Sequence, residues 1–482
     1  MRINMKKLLY IFLLPLCLGV SSCEDFLTEA PLSQLSDEKF WKSEADVRVG
    51  MAGMYDGLQD FVSNSFIDFG DARSDNFENG GTGVDQIAFG LNNLTASSPQ
   101  VEWERVYRVI SRANIAIAQI PTVPGFSTET QKNNYLGQAY ALRAYCYFWA
   151  VRVWGDVPLL LEPLSDINLR PMRAPQAEVL ASIQADLDKA ATLINPLAVN
   201  VYEINLGAIY AMQTDVHMWN KEYQKALDVS DKLIKLNRYS LAPANQWKAL
   251  FLNPVSTKEN IFSLYWNIAE DGGNELSRRI GGSNTSNYVI DSVLIGKWEM
   301  QKKDIRRYNT YDTIVYTAGN DVTQISKYYP SDPTTNRPIY PVNGVTSDVK
   351  NPFYRYADIV LLRAEALNML DRKPEAIILL NSIRTRAGLK PLVIPATVAT
   401  RDLETMILDE RQFEFFAEAK RWFDLRRTNR VVEVMDPVLK RRQKAQRNEQ
   451  TGFGDPRKQL FPVGRQALTA NPSLTQNAPY SE

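Results

Sequence analysis

The chain reads as a mainly helical protein, in which stacked helix pairs carry a loop-rich insertion half with a few short strands. Three observations predict this. Apolar residues recur at helical spacing through 101–154, 176–236 and 356–388, with short polar turns between. Two stretches rich in Gly, Asn and Asp, at 64–99 and 268–288, break that rhythm. Only short segments, chiefly 260–266, alternate as strands do.

The chain has 482 residues and 45% apolar content, enough to bury one large domain or two fused ones. Its 55 basic side chains balance 55 acidic ones, so no basic excess points to nucleic acid. The N-terminus carries Arg2, Lys6 and Lys7 ahead of an apolar run over 8–20. That run is too short and wrongly flanked to span a membrane, and residues 1–22 read as a secretory signal. It ends Val20-Ser21-Ser22-Cys23, which resembles a bacterial lipobox, so Cys23 is expected to become the lipidated first residue. Cleavage leaves 52 basic against 55 acidic side chains. Cys146 is then the one remaining cysteine, within a helical pattern, and reads as a small core residue. His217 is the lone histidine, so a His-dependent triad or a His-rich metal site is not expected.

Residues 23–35 read as a lipidated tether and 36–482 as one domain. The helical scaffold occupies about 36–63, 100–238 and 353–430, and variable ligand-facing loops occupy about 64–99 and 239–352. Ser36-Asp37-Glu38-Lys39 offers an N-cap pattern ahead of a helix over 44–58. Val106, Val109, Ile110 and Ala113 are in helical phase, as are Ala139, Arg143, Tyr147 and Trp154, after which Gly155 stops the helix. Val179, Ile183, Leu187 and Ala190 mark the next helix, and 205–219 with 222–236 form another pair. Within it NKEYQKALDVSDKLI resembles the second helix of a tetratricopeptide repeat, so the scaffold is expected to be tetratricopeptide-like. The insertion half should hold a strand over 260–266, a helix over 289–300 and a small hairpin of 313–317 with 324–329.

The C-terminal part begins NPFYRYADIVLLRAEALNML, continues EAIILLNSIRTRAGL and ends ILDERQFEFFAEAKRWFDLRR. The first two helices should pack as an antiparallel hairpin across the turn at 371–374. A third starts near Asp402 and places Glu410, Glu414, Ala417 and Arg421 on one inward face. Inward carboxylates need cationic partners, and Arg363, Arg411, Arg421 and Arg426 are the nearby candidates. A general acid/base pair is the competing reading, but no nucleophile or metal-ligand pattern accompanies these acids.

These segments closely resemble the C-terminal part of the SusD/RagB family. ALRAYCYFWAVRVWGDVPL, FWKSEADVRVGMAGMYDGL and the closing LFPVGRQALTANPSLTQNAPY match other blocks of the family in its order. The resemblance implies a non-catalytic, lipid-anchored outer-membrane protein of Bacteroidota. Such a protein binds oligosaccharide at the cell surface and hands it to a SusC-like TonB-dependent barrel. Peptide cargo is the alternative within the same fold; a secreted glycan hydrolase and a ligand-free lid are further readings.

The family does not fix ligand residues, so the candidates are compositional. Sugar faces need aromatic rings, and hydroxyls need planar hydrogen-bonding groups. The first loop offers Asp71, Arg73, Asp75, Asn76 and Phe77, and the second region Trp266, Asn267, Arg278, Arg279, Asn284 and Tyr288. Burial is the competing reading for Trp266 and Phe77. No cofactor is expected; Asp68, Asp71, Asp75, Glu78 and Asp85 leave a structural calcium open, without EF-hand spacing.

Overall fold

The computed structural model describes residues 40–80, 83–164, 169–280, 287–318, 325–332, 334–335, 337–339 and 348–481. The signal, Cys23, the tether, the 36–39 cap and Asn284 lie outside the described residues. So does the side chain of Arg278.

Helix α1 (Glu44–Phe61) starts at a capping box. The Ser43 side chain accepts from the Asp46 amide at 3.3 Å, and the Asp46 carboxylate accepts from the Ser43 amide at 2.8 Å. The chain does not leave the helix where a loop was expected. Val62–Phe66 and Asp68–Ala72 continue as wide i→i+5 turns, buried through Phe66, Ile67 and Phe69. The polar composition of 64–99 hid these apolar positions, which sit at helical spacing. A side chain on Gly70 would collide with the Ala419 carbonyl, so only glycine permits this approach. Helix α2 (Val84–Gly90) interrupts the rest of the predicted loop.

Then come α3 (Glu104–Gln119), α4 (Glu129–Trp154), α5 (Gln176–Leu193), α6 (Leu206–Trp219) and α7 (Tyr223–Lys235). Thr128 caps α4 by accepting from the Gln131 amide at 3.0 Å, and Gly155, at φ +76°, ends it. Helices α8 (Tyr356–Met369), α9 (Lys373–Arg386), α10 (Thr400–Glu414), α11 (Arg421–Arg427) and α12 (Val431–Ala445) follow the insertion half. Helix α1 packs on α3, α3 on α4, α4 on α5, α5 on α6, α6 on α7 and α7 on α8, which carries α9 and α10. This is the expected tetratricopeptide-like row of stacked pairs. Its centre is α4, where every residue from 141 to 154 is buried, Cys146 among them. His217 is buried against Glu222 at 2.7 Å, a packed residue.

Two short antiparallel ladders brace the insertion half. Strand β1 (Phe77–Asn79) pairs with β3 (Tyr288–Ile290), and β2 (Asn260–Ser263) with β4 (Pro352–Arg355). The strand expected over 260–266 is thus shorter. The helix expected from 289 begins instead at Ser292, because β-branched Val289 and Ile290 pair in β3 and Asp291 caps the Val293 amide at 2.9 Å. The expected hairpin is absent among the described residues: Thr313–Thr317 is helical, and a single bridge joins Tyr311 to Ile325.

The inward carboxylates of α10 are paired, but mostly not by the residues their local sequence suggested. Glu414 is held by Arg355 (3.0 Å), Arg306 (3.1 Å) and Arg386, and Glu410 by Arg306 (2.7 Å) and Arg384 (3.0 Å). Glu418 binds Arg355 (2.8 Å) and Lys327 (2.6 Å), and Glu259 binds Arg355 and Arg386. Arg411 serves Asp358 and Asp424 instead, Arg421 serves Asp75, and Arg363 serves Asp231. Arg426 lies over Trp219 and donates to the Arg152 carbonyl. Burial pushes the Glu414 carboxyl up, but Arg386, Arg355 and Arg306 outweigh it and hold it well below the usual carboxylate range.

The third C-terminal helix breaks rather than running on to Arg421. Ala417 and Ala419 adopt φ of +65° and +56°, which turns the Phe416 and Ala417 carbonyls to Lys327 and Tyr328. The break also receives the 68–77 segment. Ala419 donates its amide to Asp71 at 3.4 Å, and Arg421 clasps Asp75 at 2.8 and 2.9 Å. These two aspartates differ in charge. Burial, opposed chiefly by the Asn76 amide, raises Asp71 to about 8, whereas Arg421 overcomes burial and brings Asp75 down to about 2.

Three outcomes follow. Arg355→Ala leaves buried Glu414, Glu418 and Glu259 short of a partner and should cost about 3–5 kcal/mol in denaturant unfolding; a loss under about 1 kcal/mol would contradict the pairing. Asp71 has a folded value above its unfolded one, so its contribution is present below about pH 4 and is lost as pH rises through about 8. Asp71→Asn should flatten that part of the stability–pH curve. Asp75→Asn should instead remove a contribution that wild type loses as pH falls from about 4 to about 2.

Candidate functional site

Where the two predicted loop regions meet, the surface opens into a cavity of about 480 Å³. The first region contributes Asn64, Asp68, Asp85 and Gln86; the second contributes Arg279 and Asn287; Gln100, just past the first region, and Arg105 of α3 complete the lining. Each is fixed by local folding. Asn64 sits on the wide turn after α1 and donates to the Asp60 carbonyl and carboxylate at 3.0 and 2.8 Å. Asp68, one turn on, accepts from the Tyr288 hydroxyl at 2.9 Å and from Arg279, which also donates to the Asn64 carbonyl. Gln86, in the first turn of α2, donates to Asn287 at 3.3 Å across the two loops. Arg105 is steadied by Asp60 at 3.3 Å.

Burial raises the Asp68 carboxyl although Arg279 opposes it; burial pulls Arg279 down, but Asp68 more than compensates and raises it. Two buried polar atoms of cavity-lining residues, Gln100 Oε1 and Arg279 Nε, have no hydrogen-bond partner among the described residues. Amides, a guanidinium and a carboxylate around one hollow suit a polyhydroxylated molecule.

Most of the compositional candidates are elsewhere. Asp71, Asp75, Asn76 and Phe77 are buried. Asn76 donates to Asp71 at 2.6 Å and accepts from Gln412 at 3.0 Å, and Phe77 packs on Phe416 at 4.9 Å. Arg73 lies between Trp422 (4.3 Å) and Phe461 (4.6 Å) and donates to the Lys458 carbonyl and to Asn92. These side chains clamp the loop and leave no face for a sugar. Trp266 is buried, and its neighbour Tyr265 is the exposed ring, at 39% against 3%. Asn267 caps the short helix Ile268–Asp271. Tyr288 is buried beneath the cavity and supports Asp68. Of the named candidates, Arg279 lines the cavity directly.

Composition marked the loops that line this cavity but could not separate clamping from lining groups. Asn64, Gln86, Gln100, Arg105 and Asn287 were missed. The i, i+4 spacing of Asn64 and Asp68 on an unbroken helical path was the signal available for the first turn. The acidic set does not converge: Asp68, Asp71 and Asp75 each have separate partners, and Glu78 accepts from the Ser292 amide at 2.6 Å. Among the described residues no group of three or more His, Cys, Asp or Glu is placed to hold a metal.

Residues 237–480 match the model of the SusD family, and residues 25–217 match a model described as starch-binding associating with outer membrane. SusD-like protein P38 of Formosa agariphila is 34% identical over 520 residues, covering 98% of this chain and 99% of that one. SusD-like protein P2 of the same organism is 27% identical, covering 98% and 100%. Among solved structures, a laminarin-binding SusD-like protein superposes with a TM-score of 0.75 at 22% identity, covering 91% of this chain and 100% of its own. NanU of B. fragilis gives 0.75 at 21% identity, covering 94% and 100%. Those two likenesses show the fold. With the family model spanning the C-terminal half and a full-length relative at 34% identity, the chain belongs to the SusD/RagB family.

Proposed function

We propose that this protein is a non-catalytic glycan-capture lipoprotein of the outer membrane. It is anchored through Cys23, binds oligosaccharides or polysaccharide fragments in the loop cavity and delivers them to a SusC-like TonB-dependent barrel. The observation that carries the reading is the cavity wall, where the side-chain amides of Asn64, Gln86 and Asn287 stand beside the Arg105 and Arg279 guanidinium groups and the Asp68 carboxylate around one hollow. The starch-binding description of the N-terminal family model and the laminarin-binding neighbour favour a glycan over a peptide. Among the described residues no helix is long and apolar enough to cross a membrane, and the anchor in this reading is the lipid on Cys23. Asp68, the buried acid of the cavity, is tied to Arg279 and Tyr288, an arrangement that favours holding over turnover.

The test is a calorimetric binding screen against starch, laminarin, other polysaccharides and peptides, with product analysis after long incubation. Saturable binding to one glycan class without product is expected. Asn64→Ala with Gln86→Ala should weaken it about tenfold, some 1.4 kcal/mol, at unchanged unfolding midpoint. Peptide-only binding, or release of shortened glycan, contradicts the proposal. Cys23→Ala should move the protein out of the membrane fraction; continued lipid labelling would rule out the anchor.

A further inference from the structure

We infer that the ligand is a linear glycan chain that leaves the loop cavity along a groove on α3, rather than a short oligosaccharide that ends within the cavity. This rests on the reading of the loop cavity as a glycan site. The first observation is continuity. A second hollow, of about 750 Å³, adjoins the cavity and shares Pro99 and Arg105 with it. A third, of about 640 Å³, shares Glu102, Glu104, Gln466 and Ala470 with the second. Together they make one trough from the loops to the C-terminal helical turn Arg465–Ala470.

The second observation is length. The trough follows one face of α3 through Glu104, Arg108, Ser111 and Arg112, at i, i+4, i+7 and i+8. From Arg105, which lines the cavity, the seven residues on to Arg112 give about 10 Å of helix beyond it. A ligand confined to the loops touches none of it, whereas a linear polymer held at one end must pass somewhere.

The third observation is chemistry. Tyr107 is half-buried in the trough wall. Its hydroxyl donates to the Pro158 carbonyl at 2.6 Å, and its ring is braced by Trp103 at 5.6 Å and Tyr147 at 6.2 Å. A ring held on three sides offers a rigid apolar face, which suits the flat face of a pyranose. Ser111 and exposed Gln466 supply hydrogen-bonding groups beside it. The cations along the trough are answered locally: Arg105 and Arg108 by Asp60, and Arg112 by Asp56.

The test is calorimetry on the purified full chain with two ladders, laminari-oligosaccharides and malto-oligosaccharides, from disaccharide to decasaccharide. Wild type is compared with Ala470→Trp, which adds bulk to the trough at an exposed position. It is also compared with Gln466→Ala combined with Ser111→Ala, which removes hydrogen-bonding groups without adding bulk. Affinity should climb about tenfold from the shortest to the longest chain that binds. Ala470→Trp should bring the longest chain down to the affinity of the shortest and leave the shortest unchanged. The double variant should show a smaller loss with the same length dependence. Affinity that does not depend on length, or long-chain binding untouched by either variant, overturns the groove and leaves the loop cavity standing. Silence at every length in both ladders overturns both.

Discussion

A buried guanidinium has to be paired, and Arg355 imposes that demand where the two halves of the molecule meet. It is the last residue of β4, directly before α8, and draws in Glu259 from the insertion half, Glu414 from the end of α10 and Glu418 from the break that follows. Those carboxylates in turn recruit Arg306, Arg386 and Lys327. None of these charges can be exposed by a small movement, and none can be left alone. The network therefore fixes a loop-rich half, poor in regular structure, against a helical row that is largely self-sufficient.

The same seam continues toward the site. Residues 71–77 lie against Gln412–Arg421 through Asp71, Asp75 and Asn76, and Arg73 is wedged between Trp422 and Phe461. Polar side chains in this segment are spent on holding it down. Those just before it, Asn64 and Asp68, and just after it, Asp85 and Gln86, reach the cavity. The division explains why residues 71–77 supply no side chain to the cavity while the positions on either side line it. A rigid foundation also lowers the ordering cost of binding, since the lining groups are held in place before a ligand arrives.

Much of the scaffold was legible because its determinants are local. The apolar phases of α4 and α5 and the Gly155 stop all act within one or two turns. The helical continuation through Phe66 and Phe69 was missed because Asp68, Gly70 and Asp71 around them suggested a loop; tertiary contact with Ala419 decided the matter. The break at Ala417 and Ala419 ran against propensity, since alanine is the strongest helix former. What turns the chain there is Lys327 and Tyr328, far away in sequence. Charge partners were illegible for the same reason: Glu414 was correctly seen to need cations, but Arg306 and Arg355 are set by topology. At the site, the loops were legible from composition. The choice between Trp266 and Tyr265 was not, because it depends on which of two neighbouring rings faces outward.

The most direct measurement is a crystal structure of the protein soaked with an oligosaccharide from the glycan it retains. A sugar ring in the loop cavity, with hydroxyls within hydrogen-bond distance of the Asn64, Gln86 or Asn287 amides or of the Arg279 guanidinium, is the result expected from a rigid polar wall held by the Arg355 seam. An ordered sugar elsewhere, for instance beside Tyr265 with the loop cavity holding only water, would contradict it.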